Sequence, residues 1–153
     1  MEASPKRNHL RSSISVDGVP NPSDSRRQNP LVFVVDDTAS IRFLIRTNLE
    51  LEGFDVAEAV DGQDCLDRLA DVAPDIVTID AVMPRLDGFA TVEALRADTR
   101  TQHLPIVMVT TQAQAADIKR GTEAGADAYV VKPFDPDALV ATVRRVLESA
   151  ATR

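Results

Sequence analysis

From Pro30 onward, short apolar runs alternate with longer segments whose apolar residues recur at helical spacing. The runs fall at Leu31–Val35, Phe54–Ala59, Asp75–Ile79, Pro105–Val109 and Asp127–Val131. Most are rich in Val and Ile, and three are continuous rather than alternating, the pattern of strands covered on both faces. Between them lie helix-like segments at 38–52, 62–73, 87–98, 112–124 and 136–149. In the last, Leu139, Val140, Val143, Val146 and Leu147 form a stripe that predicts one core-facing side. Gly53 and Gly125 stand where helices want a left-handed residue at their ends, and Asp61 stands where the second helix wants an N-cap. Five β-α units predict an α/β fold, a five-stranded parallel sheet with helices on both faces.

Residues 1–29 break this rhythm. They hold six Ser, three Pro and scattered apolar residues, with five basic side chains against three acidic. Such a stretch buries too little apolar surface to offset its ordering entropy, which predicts a disordered tail before a domain at 30–150 and a short end at 151–153. The whole chain of 153 residues has net charge −7, so the domain itself carries about two units more negative charge than that. An acidic surface repels a phosphate backbone, and from this we expect no direct DNA binding.

The single cysteine, Cys65, excludes an internal disulfide and a cysteine-rich zinc site, and it reads as a packing residue. No apolar stretch is long enough for a membrane span, and the N-terminus lacks a signal-peptide core, so a cytoplasmic protein without membrane contact is expected. His9 and His103 neighbour no acidic motif, which argues against histidine catalysis.

Chemistry is concentrated where the predicted strands end. Asp36 and Asp37 follow the first run, Asp80 the third, Thr110 the fourth and Lys132 the fifth. In open parallel α/β sheets ligands bind outside the carboxyl ends of the strands, and a flavodoxin-like strand order 2-1-3-4-5 brings these five residues to one rim. Three carboxylates gathered there repel one another unless a cation intervenes. Mg²⁺ suits one or two carboxylates, water and phosphate oxygens. Lys132 supplies a compact positive charge and Thr110 a hydroxyl donor, so the set fits phosphoryl transfer with a carboxylate as nucleophile.

Those residues also match a family. Val34–Asp37, Asp80–Pro84 (Asp-x-x-Met-Pro), Leu86–Gly88, Val109–Thr110, Gly125–Tyr129 and Lys132–Phe134 resemble the receiver domains of bacterial response regulators, over 31–150. The resemblance implies that Asp80 is the phosphoacceptor. It implies that Asp37 ligates Mg²⁺ directly, Asp36 largely through water, with Asp80 and the backbone carbonyl of Val82 completing the set. Lys132 and Thr110 would contact the phosphoryl oxygens, Thr110 and Tyr129 would act as switch residues, and Lys132–Pro133 would be a cis peptide. The implied partners are a histidine kinase or phosphotransfer protein as donor and a downstream protein target. Because nothing resembling an effector follows the last helix, we expect a stand-alone regulator that signals by contact and is no enzyme beyond its own phosphorylation and dephosphorylation. Thr111, where a smaller residue is usual, should slow the loss of phosphate by narrowing the path of the attacking water.

Two rivals remain. An aspartyl-nucleophile phosphatase would place an Asp-x-Asp pair after strand one, whereas Asp36 and Asp37 are adjacent. A receiver-like binder that works without phosphorylation would not need all five site residues.

Overall fold

All five residues of β1 (Leu31–Val35) are buried, so the strand needs a covering layer on each face. Side chains alternate across a strand: Leu31, Phe33 and Val35 enter one core, Val32 and Val34 the other. The computed structural model describes residues 28–152. In it, β1 is followed by α1 (Ala39–Leu51), β2 (Asp55–Ala59), α2 (Gly62–Val72), β3 (Ile76–Ile79), α3 (Gly88–Ala97), β4 (Ile106–Thr110), α4 (Ala115–Ala124), β5 (Ala128–Val131) and α5 (Pro136–Ala151). The strands pair in parallel in the order β2-β1-β3-β4-β5. The α/β class and strand order agree with the sequence expectation.

Helices cover the two faces unequally. α2, α3 and α4 close the first core with Leu69, Val72, Phe89, Val92, Leu95 and Ala124. α1 and α5 close the second with Ile45, Leu49, Leu139, Val140, Val143 and Val146. The central strands β1, β3 and β4 are buried throughout, while edge strands β2 and β5 are partly exposed. This is why Leu31–Val35 and Ile106–Val109 read as unbroken apolar runs; β3 is buried as fully but carries Thr78.

Local punctuation follows the sequence in most places. The Asp61 carboxylate accepts the Asp64 N–H at 2.8 Å and so caps α2. Gly53 and Gly125 have φ of 94° and 119° after α1 and α4. Ala73, with φ 47°, ends α2 in the same left-handed region without a glycine. α4 starts at Ala115, three residues later than expected. The Gln112 N–H turns back onto the Thr110 hydroxyl at 3.3 Å, and Gln114 with Asp117 forms a reciprocal capping box that fixes the start. The expected tail falls outside the described residues apart from Gln28 and Asn29. No helix among the described residues is long and apolar enough to cross a membrane.

Cys65 is fully buried in the first core. Burial, together with the nearby Asp64 carboxylate and against the pull of Arg68, pushes its thiol up to about 12. The packing reading holds, with two consequences. A thiol reagent at neutral pH should label the native chain only as fast as it unfolds; rapid stoichiometric labelling would contradict the buried placement. Because the unfolded chain releases the thiol proton near its ordinary value while the folded chain keeps it, Cys65 should lower stability progressively as pH rises from about 9. Urea titrations of the parent and Cys65→Ala should diverge in that range and run parallel below it.

Candidate functional site

Register brings the polar residues together. β1 and β3 align Val35 with Ile79, β3 and β4 align Ile79 with Met108, and β4 and β5 align Thr110 with Val131. The residues at or just beyond these strand ends therefore emerge on one rim. Backbone bonds hold them there: Asp36 N–H to the Ala59 carbonyl (3.2 Å), Asp80 N–H to Val35 (3.1 Å) and Lys132 N–H to Thr110 (2.9 Å). Thr110, expected just past its strand, is the last residue of β4.

The lysine bridges two acids. Its Nζ lies 2.7 Å from Asp36 Oδ2 and 3.1 Å from Asp80 Oδ2. Asp36 is 1% exposed and Asp80 8%, so both carboxylates sit out of bulk water. Each has its other oxygen occupied as well. Asp36 Oδ1 accepts the Thr38 N–H at 2.9 Å, and Asp80 Oδ1 accepts the Val82 N–H at 3.3 Å. Burial by itself would lower the Lys132 pKa, but its bonds and attraction to Asp36, and then to Asp80, outweigh that and raise it. The Lys132–Pro133 peptide is cis.

Asp37 is exposed beside this pair, and Asp36, Asp37 and Asp80 each present an oxygen within 4.8 Å of the others. One ammonium among three carboxylates leaves negative charge in excess. Hard oxygen donors, excess charge and an opening to water on the Asp37 side together fit a hard divalent cation such as Mg²⁺.

Thr110 is fully buried. Tyr129 is half-buried, and its hydroxyl donates to the Gln112 carbonyl at 2.8 Å, in the segment that follows Thr110. Burial pushes the Tyr129 phenol pKa up, and the carboxylates of Asp117 and Asp80 add to the shift. The charge at the rim is thus felt at the tyrosine. Val82 is 55% exposed at the mouth of the site, and Thr111 is exposed beyond Thr110.

Two glycines matter here that residue chemistry alone did not single out. A Cβ at Gly88 would stand 2.0 Å from the Asp80 carbonyl oxygen, and one at Gly121 would stand 2.8 Å from the Tyr129 ring. Gly88 lies inside the quoted Leu86–Gly88 motif, so a signal for it existed. Gly121 carried none, because its neighbour Tyr129 arrives from another element.

Comparison with known proteins places this geometry. The family model for the response regulator receiver domain matches residues 32–144. The chain is 38% identical to the DNA-binding dual master transcriptional regulator RpaA of Synechocystis, covering 77% of this chain and 49% of that one. It is 40% identical to the DNA-binding response regulator MtrA of Mycobacterium tuberculosis, covering 79% and 51%. Among solved structures, the chemotaxis response regulator CheY4 of Vibrio cholerae superposes with a TM-score of 0.73 at 34% identity, covering 78% of this chain and 99% of that one. The chain spans about half the length of the curated relatives it matches.

These relatives correct one expectation. Direct DNA binding was excluded on net charge and on the lack of a helix-turn-helix after the last helix, yet RpaA and MtrA, similar over this same stretch, are named as DNA-binding regulators. The acidity of a unit that fills half of such a protein does not report on what the protein does with DNA. The exclusion is withdrawn.

The Lys132 bridge yields a direct stability prediction. In Lys132→Met, the buried Asp36 carboxylate loses the ammonium bonded to it and stays beside two other carboxylates. Loss of one partner from a buried pair costs about 3–5 kcal/mol, so urea unfolding should report a drop of that order; an unchanged midpoint would contradict the charge-compensating role.

Proposed function

The chain belongs to the response regulator receiver family, and on that premise we propose that Asp80 accepts a phosphoryl group in a Mg²⁺-dependent reaction. The observation that carries the proposal is the Lys132 ammonium held between Asp36 and Asp80 at the carboxyl rim of the sheet, with Asp37 beside them. Asp36, Asp37, Asp80 and the Val82 carbonyl would hold the metal. When bound, the ion neutralises charge that otherwise repels an incoming phosphoryl group.

The chain's own residues supply the rest. An oxygen of Asp80 forms a bond to phosphorus as the bond from phosphorus to the donor breaks, the donor being a phosphohistidine of a kinase or phosphotransfer protein, or a small acyl phosphate. The electron pair of the broken bond leaves with the donor atom. Lys132, displaced from its two-acid bridge, pairs with a phosphoryl oxygen, and the buried Thr110 hydroxyl donates to another. Movement of Thr110 draws on the segment to which Tyr129 is bonded, so phosphorylation reshapes the surface around α4, β5 and α5. Output passes through a protein target that reads this surface. The proposed site of action is the cytoplasm.

Incubation with acetyl phosphate and Mg²⁺, followed by intact mass, tests the assignment. A gain of one phosphoryl group is expected in the parent and in Asp71→Asn, an exposed α2 residue, and none in Asp80→Asn. Equal gain in both variants, or none in the parent, would overturn it. Replacing Thr111 with Ala should accelerate the subsequent loss of phosphate. An unchanged decay would remove Thr111 from the account of phosphoryl lifetime.

A further inference from the structure

The loop from Ala81 to Asp87 carries Val82, whose carbonyl is assigned above to the metal. Both ends of that loop are fixed at one neck. The Asp80 N–H donates to Val35 on β1, and the Gly88 N–H donates to the Ala81 carbonyl at 2.8 Å. Beyond the neck, Met83 is buried while Val82, Pro84 and Arg85 are exposed. Met83 anchors the exposed crest from below and the Val82 N–H donates to Asp80 Oδ1 at 3.3 Å, a long bond that leaves the crest's height over the acidic cluster open to what holds it from the side.

Arg85 provides that hold. Its Nε donates to Asp61 Oδ2 at 2.8 Å and its Nη2 to Asp61 Oδ1 at 3.0 Å. A two-pronged guanidinium–carboxylate contact fixes direction as well as distance. Asp61 is itself held in place: it is 5% exposed and its Oδ1 caps α2 through the Asp64 N–H. A second contact lies alongside, for a Cβ on Gly62 would stand 2.4 Å from the Leu86 carbonyl oxygen. Loop and helix start therefore touch without room for a side chain.

The backbone of Arg85 marks the arrangement as more than a surface ion pair. Its φ is 67°, a left-handed conformation that costs any residue with a Cβ and that glycine adopts freely. An arginine stands there, and the fork onto Asp61 is the interaction that only this side chain makes. Exposed ion pairs contribute little by themselves. This one has a buried acceptor, a fixed helix start behind it and a strained donor backbone in front.

We propose that Asp61 and Arg85 form a positioning pair that sets the height of the Ala81–Asp87 loop, and through it the Val82 carbonyl, for Mg²⁺. The inference deepens the reading of the Asp80 site as Mg²⁺-dependent and rests on it. Neither residue touches the reacting atoms. Their effect is on how well the metal is held before any phosphoryl group arrives.

Titration calorimetry of Mg²⁺ into the unphosphorylated chain tests it, with Arg85→Gln and Asp61→Asn as variants. Asparagine still caps a helix, so α2 is kept while the fork is lost. Each variant should weaken Mg²⁺ about three- to tenfold, below the ~10–100-fold of residues bonded directly to a metal ligand. The double variant should be no weaker than the worse single one. A merely structural pair would lower the midpoint of thermal unfolding yet leave Mg²⁺ affinity within about twofold of the parent, and that result overturns the proposal. Asp37→Ala separates the two readings. If the parent binds Mg²⁺ and Asp37→Ala does not, unchanged affinity in the fork variants sinks the positioning pair alone. If the parent binds no Mg²⁺, both fall.

Discussion

A buried ammonium between two buried carboxylates is the interaction around which this molecule is arranged. Lys132 reaches Asp36 and Asp80 at 2.7 and 3.1 Å, and all three groups have given up most of their water. Taking such charges out of solvent costs several kcal/mol each, and apolar residues of similar volume would serve stability as well or better. The cluster makes physical sense as a site held ready for exchange. Lys132 already has two anionic partners, so a phosphoryl oxygen would offer it a replacement partner rather than a first one. The excess negative charge that Lys132 cannot offset is what a divalent cation would balance.

The sheet exists in the form that this cluster requires. Asp36, Asp80, Thr110 and Lys132 come from four strands, and only an order with β1, β3, β4 and β5 side by side sets them on one rim. Two apolar cores hold the strands in register from opposite faces, so each strand end is fixed relative to its neighbours. The same tight packing makes the rim a sensitive reporter. Thr110 is fully enclosed, and Tyr129 is bonded to the carbonyl of Gln112 two residues further on. In the proposed switch, a shift of Thr110 would pass to a half-buried aromatic ring that α4 admits only because residue 121 is glycine.

Much of this was legible from residue pattern, for reasons that differ by element. Central strands announce themselves because burial on both faces demands unbroken apolar runs, as in Leu31–Val35. The site was legible because each contributing residue sits at a strand end, a position that periodicity locates without coordinates. The start of α4 was misplaced because Gln112, Ala113 and Gln114 are good helix formers; the bond to the Thr110 hydroxyl and the Gln114 cap that hold them out of the helix depend on the fold. The fork of Arg85 onto Asp61 was invisible because its partners lie 24 residues apart on different units. Asp61 could be read only as a helix cap, which it also is. The inference about DNA failed for another reason: net charge describes a surface, whereas the partners of the matched relatives belong to proteins about twice as long.

The most direct measurement is a crystal structure of this chain grown with Mg²⁺ and beryllofluoride, a stand-in for the phosphoryl group. Beryllium should be bonded to an Asp80 carboxylate oxygen, with Lys132 Nζ and the Thr110 hydroxyl on its fluorines. A metal should stand at about 2.0–2.1 Å from oxygens of Asp37, Asp80 and Val82. An adduct on another carboxylate, or a metal bound away from these three residues, would contradict this placement.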